Sequence, residues 1–142
     1  PGLGEAFYTS LRRSQQGAYD TLRPYYHDLD ALPEDERAFL RERVWARVWS
    51  SRQRRAFLST LRWLAVEQAF RAEQYRAQLA RCSTHTDIIW ADDDHIAPTA
   101  AGATMAALLP NAELHKVAAS GHNPQHERPQ ELLHLLEHAL TK

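Results

Sequence analysis

The chain has 142 residues, the length of one ordinary domain, and its 44% hydrophobic and 25% charged residues are typical of a globular protein. Seventeen basic and eighteen acidic residues give a formal net charge of -1, which offers no electrostatic footprint for nucleic acid or an anionic membrane as a partner. Because Cys82 is the single cysteine and no apolar run approaches the length of a membrane helix, we predict a soluble, cytoplasmic protein without a disulfide or a cofactor.

The first 81 residues are predicted to be helical throughout. Apolar residues recur with a helical period from about residue 5 onwards, and no segment alternates as a strand does. Gly17 and Pro24 are expected to divide residues 5–30 into shorter helical pieces. The sequence therefore predicts an all-helical segment over residues 1–81.

Two longer helices are predicted within this segment. The first opens at Pro33, because proline suits the first helical position and the acidic residues after it suit the positive end of the helix dipole. The second follows Ser50 and Ser51, since serine caps free backbone N–H groups. The apolar residues of this second helix that we expect to face a core are Phe57, Leu61, Leu64 and Ala65. The interleaved arginines are expected on its solvated face.

Residues 82–142 have a different pattern, with four predicted elements in the order strand, helix, strand, helix. These are a β-prone run at Ile88-Ile89-Trp90, a helix over residues 99–109, an alternating strand over residues 112–117 and a final helix opened by Pro129. Pro110 ends the first of these helices because it has no backbone N–H. This order is typical of a parallel sheet with crossover helices.

Two polar loops follow the predicted strands. The first carries Asp92, Asp93, Asp94 and His95, and the second carries Ser120, Gly121, His122, Asn123 and His126. Reactive groups collect on the loops past the carboxyl ends of parallel strands, since those ends lie at one edge of the sheet. We therefore expect an aspartate of the first loop to meet a histidine of the second, which would form the acid and base of a nucleophilic triad. Asp92 and Asp93 are expected to be turn or capping residues, and His126 a solvated loop histidine.

Three stretches of this region resemble the α/β-hydrolase fold family. They are the run from Ile88 to Pro98, the stretch from Leu108 to Leu114, and the loop Ser120-Gly121-His122-Asn123-Pro124 that leads through Glu127-Arg128-Pro129 into the last helix. In the family's version of the first stretch, the triad acid follows three residues after a glycine, and Ala91 occupies the glycine's place. The resemblance therefore implies Asp94 as the triad acid and His122 as the triad base.

The resemblance also implies an α/β fold class and an activity. Residues 82–142 would be the C-terminal part of an α/β-hydrolase sheet, with two parallel strands and their helices. Residues 1–81 would be the helical cap that such enzymes often carry between the sixth and seventh strands, and Pro1-Gly2-Leu3-Gly4 resembles the turn that leaves the sixth strand. The implied activity is that of a serine hydrolase of the esterase, lipase or thioesterase kind, acting on a small ester-like substrate.

The nucleophile that this family requires is not found in residues 1–142. The family's order of nucleophile, acid and base places a serine upstream on a G-x-S-x-G elbow. Glycine occurs only at positions 2, 4, 17, 102 and 121, and no serine lies between two of them at that spacing. The oxyanion-hole loop is missing as well. We therefore expect the N-terminal half of the same hydrolase, as a cleaved, separate or missing chain, to be the partner that supplies both, and the segment alone to be inactive.

Two alternatives remain open from the sequence. One is the same fold with an aspartate nucleophile, as in epoxide hydrolases and haloalkane dehalogenases. The other is a non-catalytic protein whose Asp-Asp-Asp-His turn at residues 92–95 binds a cation or nothing. His134 and His138 have the spacing of metal ligands on a helix, but no metal site is predicted there.

Three residues near the first strand depart from the family pattern. His85 stands where the family often has proline, Asp87 where an apolar residue is usual, and Ala91 where the turn glycine is expected. An unpaired buried carboxylate would cost roughly several kcal/mol. We therefore expect Asp87 either to reach solvent or to find a partner.

Overall fold

The computed structural model describes residues 3–141. The helical part contains α1 (Leu3–Leu11), α2 (Gln15–Asp20), two 3₁₀ turns (Arg23–Tyr25 and Leu29–Ala31), α3 (Glu34–Trp49) and α4 (Ser51–Leu79). The remainder contains β1 (Thr86–Ala91), α5 (Thr99–Leu108), β2 (Ala112–Val117), α6 (Pro124–Glu127) and α7 (Pro129–Leu140). The predicted order of strand, helix, strand and helix is confirmed, with the short α6 added before the last helix. The turn predicted from Pro1 and Gly2 lies outside the described residues.

The first predicted interruption falls at a different place. Gly17 lies inside α2, and Ser14 is the residue before that helix. The Ser14 side chain accepts a hydrogen bond from the Gly17 N–H (3.0 Å), so a serine cap starts α2 where the sequence suggested that a glycine would break a helix. Pro24 lies in the first 3₁₀ turn, as its fixed φ angle allows.

Ser50 separates α3 from α4. Its backbone N–H donates to the carbonyl groups of Ala46 and Arg47, which ends α3. Its side chain accepts a hydrogen bond from the Gln53 N–H (3.3 Å), which caps the start of α4. The predicted serine cap is therefore present, and α4 runs without a break for 29 residues.

The apolar stripe on α4 is not buried, contrary to the expectation that it would face a core. The side chains of Phe57, Leu61 and Leu64 are each about half exposed, and no residue of α4 is buried. Helical periodicity identifies the apolar face of a helix, whose burial would be favourable. Among residues 3–141, however, no element covers the apolar face of α4. Neither α4, which has 29 residues, nor any other described helix is long and apolar enough to cross a membrane.

The described residues divide into two compact units. Residues 3–22 and 33–72 form the first, and residues 23–32 and 73–141 form the second. The chain therefore leaves the first unit after α2, contributes the two 3₁₀ turns to the second, and returns for α3.

A small core holds the first unit together. Ala18, Tyr19 and Val48 are almost completely buried, and the Arg41 guanidinium lies over the Tyr19 ring, 5.0 Å from its centroid. Such a cation–π contact stabilises the arrangement by about 0.5–2 kcal/mol, depending on how far it is desolvated.

A two-stranded parallel sheet organises the second unit. β1 and β2 pair in register from Thr86 with Ala112 to Ala91 with Val117. The parallel direction requires a crossover connection, which α5 supplies. Besides Gly102 and Gly121, the buried residues of this unit are Tyr26, Leu29, Leu32, Ile88, Ala91, Leu109, Val117 and Ser120. Three of them belong to residues 23–32, so this segment contributes to the core of the second unit.

Candidate active site

The two polar loops lie side by side past the carboxyl ends of β1 and β2. Hydrogen bonds continue between them beyond the strands. The Asp92 N–H donates to the Val117 carbonyl oxygen and the Asp93 N–H donates to the Ser120 carbonyl oxygen, both at 3.1 Å. The next side chains on the two loops therefore emerge close to one another.

Asp94 and His122 are in direct contact. The Asp94 Oδ2 lies 2.8 Å from the His122 Nδ1. The other carboxylate oxygen, Oδ1, accepts hydrogen bonds from the Ile96 N–H and the Ala97 N–H, both at 2.8 Å. Only 7% of the Asp94 side chain is exposed, against 41% of the His122 side chain. A fixed, buried carboxylate thus orients an accessible imidazole.

The surroundings of Asp94 hold the pKa of its carboxyl below the ordinary value of 3.8. Burial raises this pKa, but hydrogen bonds from the Ala97 N–H, the His122 ring and the Ile96 N–H outweigh burial because they stabilise the ionised form. Asp94 therefore faces His122 as a carboxylate. Because its pKa is depressed in the folded state, the stabilisation it provides is complete above about pH 4 and is lost as the pH falls through the lowered pKa.

A pocket opens beside this pair. Its volume is about 170 Å³. The residues that line it are Ile89, Trp90, Ala91, Asp94, Ala97, Gly121, His122 and Pro124. The Trp90 indole N–H donates to the Ala97 carbonyl oxygen (3.2 Å), which fixes the ring against the turn that holds the acid. The Tyr25 ring meets the His122 ring edge-on, with centroids 5.8 Å apart. The pocket is therefore apolar on most sides and carries the imidazole on its wall.

Glu127 joins segment 23–32 to the loop that carries the histidine. Its Oε1 accepts hydrogen bonds from the His27 N–H (2.7 Å) and the Asp28 N–H (3.0 Å). Its Oε2 accepts one from the Gly121 N–H (2.7 Å). Hydrogen bonds to an ionised acceptor are about twice as strong as neutral ones. One carboxylate therefore fixes the backbone immediately before His122.

Gly121 is required by the close approach of segment 23–32. A Cβ atom on this residue would lie 2.7 Å from the Tyr26 Cα and carbonyl carbon and from the His27 nitrogen, all backbone atoms that cannot turn aside. Two residues earlier, Ala119 has a φ of 46°, in the left-handed region. A non-glycine residue there costs of order 1–3 kcal/mol. The turn after β2 is thus held in a strained shape that presents His122 toward Asp94.

Neighbours of the predicted acid have other partners. The Asp93 Oδ2 lies 2.7 Å from the His27 Nδ1, and its Oδ1 lies 3.4 Å from the His95 Nε2. The Asp92 carbonyl accepts a hydrogen bond from the Thr99 hydroxyl (3.1 Å). Thr99 therefore binds the acid loop through its side chain.

The remaining histidines that the sequence singled out have other surroundings. The His126 ring packs edge-on against the Tyr26 ring, with centroids 6.0 Å apart, and is half-buried instead of solvated. His138 packs against the His115 ring, with centroids 6.3 Å apart. Among the described residues, His134 and His138 are not part of any group that brings metal-ligating atoms together.

Sequence reasoning did not find the part played by Glu127 and segment 23–32. Residues 1–81 were expected to be cap helices, and nothing in their local periodicity distinguishes residues 23–32. The available signal was the run Glu127-Arg128-Pro129, which the resemblance included without a role for the glutamate.

A family model described as "alpha/beta hydrolase fold" matches residues 7–129. The chain also resembles solved structures. A hydrolase for 2-hydroxy-6-oxo-6-phenylhexa-2,4-dienoate from Rhodococcus sp. strain RHA1 superposes with a TM-score of 0.72 at 15% identity, over 91% of this chain and 45% of that one. A membrane phospholipase A described as a bacterial virulence factor gives 0.66 at 20% identity, over 92% and 39%. A serine hydrolase from Cycloclasticus zankles gives 0.61 at 18% identity, over 87% and 43%.

These structural similarities show the fold of the chain. The chain spans less than half the length of the solved structures that it matches, and no curated protein matches it. The family model, however, covers most of the 142 residues. The strand order, the parallel pairing and the family match agree, and the chain belongs to the α/β-hydrolase fold family.

Proposed function

We propose that this chain supplies the acid and the base of a serine-hydrolase triad, with Asp94 as the acid and His122 as the base. The observation that carries the proposal is the 2.8 Å contact between the Asp94 Oδ2 and the His122 Nδ1, at the carboxyl ends of two adjacent parallel strands and on the wall of a pocket. Catalytic groups of open α/β sheets lie at this edge.

The two residues would have the roles of the acid and the base in a catalytic triad. Asp94 accepts a hydrogen bond from the Nδ1–H of His122, which fixes the ring's tautomer and stabilises the imidazolium that forms during reaction. His122 Nε2 then takes the proton of the attacking serine and returns it to the leaving group. The lowered pKa of Asp94 supports this assignment, since the acid must stay ionised while the imidazole changes charge.

The attacking serine and the oxyanion donors would come from the N-terminal half of the same hydrolase. Residues 1–142 contain no G-x-S-x-G elbow, and the solved structures that the chain matches are more than twice as long. The exposed apolar face of α4 also supports a partner, because burial of such a face stabilises an assembly. We infer that residues 1–142 without that half do not turn over substrate.

The substrate class that we propose is a small ester or thioester bound in a cytoplasmic enzyme. The pocket beside His122 is mostly apolar. Residues 1–81 would be the helical cap segment of such an enzyme. One matched structure is named a phospholipase and another a serine hydrolase, which favours a serine nucleophile over an aspartate. A cation-binding role for the acidic turn is less well supported, because among the described residues the side chains of residues 92–95 do not bring metal-ligating atoms together.

The test uses the full-length protein that includes the N-terminal half. We expect a fluorophosphonate probe to label it and p-nitrophenyl esters to be hydrolysed. His122→Ala should lower kcat by about 10⁶-fold and abolish labelling, because the serine loses its base. His134→Ala, an exposed histidine on α7, is the matched control and should leave both unchanged.

Three results would reject parts of the proposal. Epoxide or haloalkane turnover without labelling would replace the serine by an aspartate nucleophile. Undiminished ester turnover in His122→Ala would remove His122 from the mechanism. Full activity of residues 1–142 alone would show that no partner is needed.

A further inference from the structure

A second group of ionisable side chains lies at the amino end of the β1–β2 ladder. Asp87 and Glu113 are register partners, and His115 follows Glu113 by two residues, so all three project from one face of the sheet. Asp87 lies four residues before the end of β1, about 13 Å along the strand, and His115 lies two residues before the end of β2, about 7 Å. The group is therefore separate from the Asp94–His122 pair beyond those ends.

The three side chains converge closely. One ligand-capable atom from each lies within 4.8 Å of the others. The His115 Nε2 is 2.8 Å from the Asp87 Oδ1 and 3.9 Å from the Glu113 Oε1. Asp87 and His115 are only 11% and 12% exposed, whereas Glu113 is 49% exposed at the entrance. An imidazole and two carboxylates are thus brought together at a nearly buried place with one open side.

A fourth side chain holds the buried carboxylate in position. The His85 Nε2 lies 2.9 Å from the Asp87 Oδ2, on the side away from His115. The His85 Nδ1 is in turn 3.4 Å from the Asn111 Oδ1. This arrangement resembles the outer partners that orient ligating carboxylates in metal sites. Asp87 therefore has two partners, His85 and His115, where the sequence predicted either a partner or contact with solvent.

The donor set fits a divalent transition metal better than an alkaline-earth ion. Imidazole nitrogen suits Zn²⁺, Cu²⁺ and Ni²⁺, whereas Mg²⁺ and Ca²⁺ prefer oxygen alone. Zn²⁺ binds such ligands at about 2.0–2.2 Å in a tetrahedron, which places ligand atoms about 3.3–3.6 Å apart. The observed separations of 2.8 and 3.9 Å lie on either side of that spacing, so small side-chain adjustments suffice.

We propose that Asp87, Glu113 and His115 form a binding site for Zn²⁺, with His85 as the positioning residue of the Asp87 carboxylate. The ion would link β1 to β2 at the end of the sheet opposite the active-site pair and stabilise their register. The sequence alone predicted no metal, because only the strand register brings these donors together. This site does not depend on the proposed catalytic function.

The test is isothermal titration of ZnCl₂ into the purified protein after removal of metals with a chelator. We expect one equivalent to bind and to raise the melting temperature, because the ion binds the folded state. Asp87→Asn and Glu113→Gln should each weaken binding at least tenfold, and His85→Gln by about 10- to 100-fold as an outer partner. Glu113 is half exposed, so its variant tests the site without disturbing the core.

Two control variants locate the ion. His134→Gln changes an exposed histidine of α7, and His122→Gln changes the other aspartate–histidine pair; both should bind zinc as the parent protein does. Absence of binding by the parent protein would overturn the proposal and leave an ion-pair cluster. Binding that survives Glu113→Gln and Asp87→Asn, or that is lost in His122→Gln, would also overturn it.

Discussion

The two ends of the β1–β2 ladder each carry an aspartate and a histidine 2.8 Å apart, yet their surroundings differ. At the carboxyl end, the second oxygen of Asp94 accepts two backbone N–H groups, and His122 lies on an exposed loop beside a pocket. At the amino end, the second oxygen of Asp87 faces another imidazole, and His115 is fixed in a strand next to a further carboxylate. Under the two proposals, the same pair acts in proton transfer in one place and in cation binding in the other.

On this account, the neighbours of an aspartate–histidine pair decide its chemistry. Backbone donors stabilise an ionised carboxylate without titrating themselves, which leaves the imidazole as the group that exchanges protons. At the amino end, the Glu113 carboxylate lies beside the His115 imidazole in addition to Asp87. Two carboxylates close together favour the binding of a cation, which neutralises their charge. The predictions that follow perturb the carboxyl end alone, and each is expected to leave zinc binding at the amino end unchanged.

The largest effect on stability is expected from Gly121→Ala. The new methyl group would meet the Tyr26 and His27 backbone at 2.7 Å, and such overpacking costs about 2 kcal/mol in the free energy of unfolding. Urea denaturation measures this change. The matched control is Gly17→Ala in α2, where the added Cβ is at an ordinary 3.4 Å from Ser14 and should stabilise the helix by about 0.5–1 kcal/mol. Equal stability of the two variants would show that segment 23–32 is not packed on Gly121.

A smaller effect is expected from Glu127→Gln. The glutamine side chain can accept hydrogen bonds only through its carbonyl oxygen. Its NH₂ group would face a backbone N–H of Gly121 or of segment 23–32, and that hydrogen bond would be lost. The loop before His122 then loses a fixed position, and we expect kcat of the full-length enzyme to fall about tenfold, equivalent to about 1.4 kcal/mol, with KM little changed.

The control for that variant is Glu131→Gln on the exposed face of α7, which should behave like the parent enzyme. A change in KM alone would assign Glu127 to substrate binding instead of to positioning. An unchanged kcat would show that Glu127 is not needed to position the loop that carries His122.

Much of the carboxyl end could be predicted from the sequence because its determinants are local. A short apolar run, an acidic turn, an alternating strand and a proline-opened helix each have their own signal, and parallel order then places the two loops together. The family match supports this fold. The assignment of catalytic roles to Asp94 and His122 remains a proposal, although the structure brings the two side chains into contact.

The parts that sequence reasoning missed depend on contacts between distant segments. Glu127 binds backbone groups of residues 27 and 28, about a hundred positions earlier, and no periodicity reports such a contact. The proposed zinc-binding group depends on the register that pairs Asp87 with Glu113. The apolar stripe of α4 failed as a core prediction because periodicity identifies a face but not the element that covers it.

The central claim is tested most directly by kcat for ester hydrolysis in the full-length enzyme with Asp94→Asn, beside Asp92→Asn as the matched change two residues earlier. An amide at position 94 keeps the shape but no longer stabilises the working tautomer and the imidazolium of His122. We predict that kcat falls by about 10⁴-fold in Asp94→Asn and stays within about twofold of the parent in Asp92→Asn. Comparable activity of the two variants would contradict the assignment of Asp94 and His122 as acid and base.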